Sequence, residues 1–371
     1  MSRKKAKHLY HPTEIAIAGY SGSGKTTLIC QLLNIWRNSY RVAYIKHDAH
    51  RFVMDRPGKD TSLAWQAGAE QVFIADQEHF ASLSRGTSSM FQQRSMSRDF
   101  DFALVEGHKA SKIPKLLFWN PELKPMVNNG EITEVLAWIG EPNEHPDPEG
   151  GLPYFRRDDV AAIAHFIAQN WQEVLQGKPL SGLVLTGGQS SRMGQDKALL
   201  RYGDKPQAQV AFDLLEQNLE EVYISSRPGQ WQGTPLAELP QISDRFEGFG
   251  PMGGILSAML AFPERSWLVV ACDLPRLDPN TIERLINERQ ATQLATCYRS
   301  LHDGLPEPLC AIYESRMKER LFEALGQGIH CPRKVLIHSA SKVLELGESN
   351  TLENINYQSE YQAFKEQGAL T

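Results

Sequence analysis

The sequence predicts an α/β protein built as two three-layer domains, and three observations carry that prediction. A chain of 371 residues is long for a single hydrophobic core. Short apolar strand candidates alternate with stretches of helical spacing, the pattern of a parallel sheet joined by crossovers. A strand running into a glycine-rich turn and then a helix occurs twice, once in each half.

Taken in order, residues 1–12 form a basic tail, Arg3 to Lys7, expected to fray in solvent. The first domain is expected over 13–175. Its strand candidates are Glu14–Ala18, Arg41–Ile45 and Phe100–Val105, with helical stretches at Thr26–Trp36 and Leu63–Gly68. Prolines, glycines and acids at Glu141–Gly151 read as an exposed loop. Arg157–Leu175 places Val160, Ile163, Ala164, Ile167 and Trp171 at helical spacing and needs a surface to cover, so it is assigned to the first domain. A linker is expected at 176–180, and the second domain over 181–371. There the strand candidates are Gly182–Thr186, Glu221–Ser225 and Ser266–Ala271, with helices at Gln207–Glu216 and Gly254–Ala261.

An apolar fraction of 41% and a charged fraction of 22% are those of a globular protein. Lys plus Arg total 39 against 44 Asp plus Glu, a net charge of −5 that argues against nucleic-acid or anionic-membrane binding. No apolar run suits a secretory signal or a membrane span. Five scattered cysteines without a CxxC pair suggest reduced thiols, and with them a cytoplasmic location.

The first glycine turn, Gly19-Tyr-Ser-Gly-Ser-Gly-Lys-Thr26, satisfies G-x-x-x-x-G-K-[ST] between a strand and a helix. Gly22 and Gly24 let the backbone bend so that N–H groups around Ser23 to Thr27 converge on phosphate oxygens. Lys25 would reach the β- and γ-phosphates and the Thr26 hydroxyl would ligate magnesium. Glu106, at the end of a strand, either orients a water or is simply a solvated carboxylate; Asp101 stands at the strand's other end. His47, Asp48 and His50 read as a polar loop contacting ligand or partner rather than a metal site.

Gly19–Thr27, Lys46-His-Asp48, Asp55-Arg-Pro-Gly-Lys-Asp60, Ala67-Gly-Ala69 and Val105-Glu-Gly-His-Lys109 resemble the MobB family, the P-loop adapter of molybdopterin-guanine dinucleotide synthesis. The resemblance implies a P-loop NTPase-like domain that binds GTP, hydrolyses it slowly at best, homodimerises through this domain and assists a partner enzyme. His108 departs from the family's usual aromatic residue.

The second turn, Leu185-Thr-Gly-Gly-Gln-Ser-Ser-Arg-Met-Gly-Gln-Asp-Lys197, puts Arg192 and Lys197 on one glycine-rich loop. Gly187 and Gly188 allow close approach to a nucleotide, and the two cations suit a reaction in which negative charge builds on a departing pyrophosphate. Asp273 follows the apolar run Trp267–Ala271 and should project from a strand end, where a carboxylate can hold magnesium. Asp244, ahead of Gly250-Pro-Met-Gly-Gly254, is the second metal candidate, although aspartate is also a common turn residue.

Leu185–Leu200, Asp244, Gly250–Gly254, Cys272-Asp-Leu-Pro275, Glu307-Pro-Leu309 and Glu353-Asn-Ile-Asn356 resemble the MobA family of molybdenum cofactor guanylyltransferases. That likeness implies a Rossmann-like nucleotidyltransferase domain. Leu185, Thr186, Gly187, Gly188, Lys197, Asp244 and Asp273 would bind GTP, with Asp273 also binding Mg2+. Lys197, Asp273 and Arg192 would carry catalysis, and Asn354 and Asn356 would seat the pterin. Thr186 replaces the usual alanine and would put a hydroxyl near the base or ribose. Ser225 stands where some members carry a nucleotide-contacting asparagine, and its reach is short.

Together the likenesses imply transfer of GMP from GTP to molybdenum-loaded molybdopterin, giving the guanine dinucleotide cofactor and pyrophosphate. Molybdoenzymes or their chaperones would accept it. The competing readings are a cytidylyl- or sugar-phosphate nucleotidyltransferase, a regulatory GTPase, and a P-loop small-molecule kinase.

Overall fold

The computed structural model describes residues 9–46, 58–141, 151–176, 178–186, 196–201, 203–246, 248–347, 350–355 and 360–362. The chain divides into two compact units, Met1–Ala168 and Gln169–Thr371. In chain order the first carries β1 (Glu14–Ala18), α1 (Lys25–Trp36), β2 (Val42–Lys46), α2 (Asp60–Gln66), β3 (Gln71–Ala75), β4 (Phe80–Ser84), α3 (Met90–Ser97), β5 (Phe102–Glu106), β6 (Lys115–Phe118), α4 (Leu123–Asn128), β7 (Val135–Gly140), β8 (Tyr154–Arg156) and the start of α5 (Val160–Gln176).

Six of these strands form a parallel sheet in the order β2-β5-β1-β6-β7-β8. Parallel strands are covered on both faces, which is why Glu14-Ile-Ala-Ile-Ala and Phe-Ala-Leu-Val-Glu106 are buried along their whole length. The third predicted strand is shifted by two residues at its start. Asp101 stays outside it, its carboxylate accepting Arg41 N–H at 2.7 Å, and Glu106 becomes the last strand residue. Beyond β1 the sheet continues through β6, β7 and β8, which local pattern did not announce. β3 and β4 form a separate antiparallel hairpin with Phe73 and Phe80 exposed. In α5, the predicted spacing buries Ile163, Ala164, Ile167 and Trp171. Gln176 ends that helix and Leu180 opens the next strand.

The second unit continues with β9 (Leu180–Leu185), α6 (Gln207–Glu216), β10 (Val222–Ser226), β11 (Gln241–Ser243), α7 (Pro251–Ala261), β12 (Ser266–Ala271), α8 (Pro279–Asn287), β13 (Ala295–Arg299), β14 (Pro306–Tyr313), α9 (Met317–Gly326), α10 (Pro332–Ile337) and β15 (Ser341–Leu344). Its seven strands run β11-β10-β9-β12-β14-β13-β15, with β14 antiparallel to both neighbours. The period-2 alternation of β12 splits its side chains between two cores. Leu268 and Val270 pack with α6 and α8, while Trp267 and Val269 pack with α7, α9 and α10. The predicted three layers are present. Among the described residues no helix is long and apolar enough to cross a membrane.

Candidate functional site

In the first unit the functional groups gather at the C-terminal ends of β1, β5 and β2, where open α/β sheets hold ligands. Gly24 caps α1 at φ 93°, a left-handed conformation open to glycine. Gly19 admits no side chain, since a Cβ there would lie 2.8 Å from Phe118 Cβ. With the chain bent this way, Lys25 Nζ donates to the Tyr20 carbonyl at 2.6 Å. Ser23 Oγ is buried with no hydrogen-bond partner among the described residues, an oxygen suited to an added polar ligand.

Glu106 collects three donors. Thr26 Oγ1 lies 3.1 and 3.0 Å from its two oxygens. The Tyr44 hydroxyl donates to Oε2 at 2.6 Å, and Lys46 Nζ lies 3.3 Å from Oε1. Burial raises the Glu106 carboxyl, but the bonds from Tyr44, Thr26 and Lys46 outweigh it and hold it below the usual range. Thr26 and Glu106, separate candidates in sequence, are therefore one hydrogen-bonded pair. Burial likewise lowers the Lys25 ammonium; Glu106 opposes this, and the charges of Lys46 and Lys109 reinforce it.

In the second unit, β9 and β12 are paired with Leu185 opposite Ala271, and Cys272 N–H donates to Leu185 O at 3.3 Å. Asp273 thus follows β12 at the end of the sheet where β9 also ends. Lys197, at the start of a short 3-10 helix capped by Asp196, returns to the same place and donates to Asp273 Oδ2 at 2.9 Å. Both side chains are about one-fifth exposed. Asp273 Oδ1 is buried and unbonded among the described residues.

Asp244 lies at the end of β11, on the strand next to β10. It accepts a hydrogen bond from Ser225 Oγ at 2.8 Å. Burial pushes its carboxyl above the usual range, against the effects of Ser225 and Arg227. The glycines of Gly250–Gly254 let α7 reach this corner. A Cβ on Gly254 would lie 2.6 Å from Ser225 Oγ, and one on Gly253 would lie 2.6 Å from Phe246 O.

The Thr186 side chain is bonded differently from what its sequence reading anticipated, while Ser225, read as short of reach, bonds within the protein. The Thr186 hydroxyl, expected near a base or ribose, is consumed by the protein: it donates to Ser225 O and accepts from Trp231 Nε1 at 3.2 Å. Ser225 itself serves Asp244. Gln230 Nε2 adds a bond to Asp196 Oδ2 at 3.2 Å, so Gln230 and Trp231, in the segment after β10, hold Asp196 and Thr186, with no motif to mark them.

A third feature adjoins Asp273. Ile355 N–H donates to Asp273 O at 3.2 Å, tying the exposed Asn354 segment to the same strand end. Just before it, Asn350, Leu352 and Glu353 wall a cavity of about 250 Å³ with Ser300, His302 and Glu307. Burial raises the Glu307 carboxyl despite its bonds from Leu309 N–H at 3.2 Å and Arg333 at 2.9 Å.

Residues 182–343 match the MobA-like NTP transferase domain family, and residues 14–141 match molybdopterin guanine dinucleotide synthesis protein B. A probable molybdenum cofactor guanylyltransferase of Mycobacterium avium is 30% identical over 191 residues, 50% of this chain and 94% of that protein. A molybdopterin-guanine dinucleotide biosynthesis adapter protein of Haemophilus influenzae is 37% identical over 129 residues, 33% of this chain and 72% of that protein. The chain belongs to both families, MobB in its first half and MobA in its second. A molybdenum cofactor biosynthesis bifunctional protein of Synechocystis is 43% identical over 183 residues, covering 49% of this chain and 53% of that relative.

Within this MobB–MobA chain, Lys25, Thr26 and Glu106 come together, as do Lys197 with Asp273 and Asp244 with Ser225. Gly187, Gly188, Arg192 and Asn356 lie outside the described residues, as do His47, Asp48 and His50. Among the described residues no three His, Cys, Asp or Glu side chains form a metal cluster. A cation held by one carboxylate would need phosphate oxygens to complete its shell, which is how magnesium commonly binds nucleotides.

Proposed function

We propose that the second domain transfers GMP from GTP to the terminal phosphate of molybdenum-loaded molybdopterin, forming the guanine dinucleotide cofactor and pyrophosphate. The observation that carries this reading is the Lys197–Asp273 pair, with one Asp273 oxygen unbonded among the described residues. An acceptor phosphate oxygen bonds to the α-phosphorus of GTP as the bond from that phosphorus to the β-bridging oxygen breaks. The acceptor is already anionic, so no protein nucleophile is required, and the protein's task is alignment and charge neutralisation.

Lys197, held in place by Asp273, faces the departing pyrophosphate, with Arg192 as the second cation. Asp273 Oδ1 suits Mg2+, which when bound would screen the repulsion between the two anions. Leu185, Thr186, Gly187 and Gly188 supply main chain against the nucleotide, and Asp244 accepts N–H donors from it. Asn354 and Asn356 seat the pterin, and the adjoining cavity has room for its ring.

In the first domain, Gly22 to Thr27 with Glu106 bind GTP and Mg2+ as a fused adapter, and this domain homodimerises. Tethering keeps the adapter at high effective concentration near its enzyme. The product passes to molybdoenzymes or their chaperones in the cytoplasm, where GTP is available.

Purified protein incubated with molybdopterin and either GTP or CTP, with pyrophosphate and the dinucleotide product measured, tests the proposal. Release with GTP and little with CTP is expected. Preference for CTP would favour the cytidylyl reading, and nucleotide hydrolysis without a dinucleotide would favour a regulatory GTPase.

A further inference from the structure

In the first cleft, two lysines rest on one residue of the phosphate loop. Lys25 Nζ donates to the Tyr20 carbonyl at 2.6 Å, and Lys109 Nζ lies 4.1 Å from the centre of the Tyr20 ring. No carboxylate pairs with Lys109 among the described residues. Its charge is nevertheless felt at Lys25, where it adds to the lowering caused chiefly by burial.

The loop that presents Lys109 is tied down at several points. The wholly buried Lys115 donates to Ser111 O at 2.9 Å and to Thr133 O at 2.5 Å. Ser111 donates to His108 O through its N–H at 2.9 Å and its hydroxyl at 2.8 Å. His108 adopts φ 53°, rare for a residue with a side chain, and meets the Tyr10 hydroxyl at 3.2 Å. This bracing fixes the base of an otherwise flexible lysine beside the phosphate loop.

The geometry points to Lys109 as a second phosphate-binding cation, held on the Tyr20 ring and transferred to the outermost phosphate when a nucleoside triphosphate enters. This rests on nucleotide binding at the Lys25 loop, proposed above. Lys25, at the start of α1, serves the β- and γ-phosphates from the loop itself, whereas Lys109 approaches from the β5–β6 loop on the Tyr20 ring and would add a second cation at the γ-phosphate. A cation–π contact at a part-exposed ring is weaker than a charge-assisted bond to phosphate, so the exchange runs downhill. Lys109 would then distinguish GTP from GDP.

The test is calorimetric titration of the full chain with GTP and with GDP, in a Lys197→Ala background that weakens the second cleft. Lys25→Ala identifies the heat belonging to the first cleft. Lys109→Met is expected to weaken that component roughly tenfold for GTP, the size of one lost charged hydrogen bond, and much less for GDP. Lys109→Arg, which keeps the charge, is expected to retain the GTP preference. Equal losses for both nucleotides, or none, while Lys25→Ala removes the component, would overturn the role of Lys109 alone. No effect of Lys25→Ala would remove the underlying nucleotide reading, and the proposal with it.

Discussion

Lys197 Nζ and Asp273 Oδ2 meet at 2.9 Å although 76 positions separate them in the chain. One residue lies beyond β9 and the other two places past Ala271, the last residue of β12, and the register Leu185↔Ala271 brings the two strand ends side by side. A part-exposed ion pair adds little stability. Its effect here is positional, fixing a cation and a carboxylate together, with Asp273 Oδ1 buried and unbonded among the described residues.

The approach of α7 to Asp244 depends on two glycines. An added Cβ at Gly253 would meet the Phe246 carbonyl, which is backbone and cannot rotate away, while one at Gly254 would meet the Ser225 and Leu185 side chains. Gly253→Ala is expected to destabilise the domain by about 1–3 kcal/mol, and Gly254→Ala by less. Urea midpoints rank them, and the opposite order would contradict this packing.

Thr186 is predicted to be structural through its hydroxyl. Thr186→Val leaves the buried Trp231 indole N–H without its partner, costing about 1–3 kcal/mol. Guanylyl transfer measured well below the melting temperature should change little. A large loss of turnover without loss of stability would return the hydroxyl to the nucleotide.

Burial lowers the Lys115 ammonium to about 8, with Glu134 opposing. An unfolded lysine titrates near 10.4, so between about pH 8 and 10.4 the unfolded chain binds more protons and the native state gains stability as pH rises. Below that window both states are protonated and the contribution is constant. The stability of the parent minus that of Lys115→Met, from urea midpoints across this range, should therefore rise with pH. A flat difference would contradict the burial argument.

Legibility followed the range of each interaction. Strand, glycine turn and helix are consecutive, so Lys25 and Lys197 could be placed from local pattern, and the apolar run Trp267–Ala271 announced Asp273. Tyr44 carried no mark, and Lys46 and Lys109 stood only within the family blocks with no role attached, because their positions around Glu106 and Tyr20 come from the neighbours assigned by sheet order. β6 was hidden by the buried Lys115 at its head, and β14 by its place between β12 and β13, which only the sheet order reveals. The bonds of the Thr186 hydroxyl were hidden for the same reason: its partners, Ser225 and Trp231, are brought in by β10 and the segment after it.

Pyrophosphate release from GTP and molybdopterin by the parent, Lys197→Ala, Asp273→Asn and the double variant tests the central claim most directly. Each single change is expected to lower turnover by about 10²–10³-fold with circular dichroism unaltered. The double variant should be little worse than the poorer single one, because the two groups act as a unit. Near-normal turnover in either single variant, or a double loss equal to the product of the single losses, would contradict it.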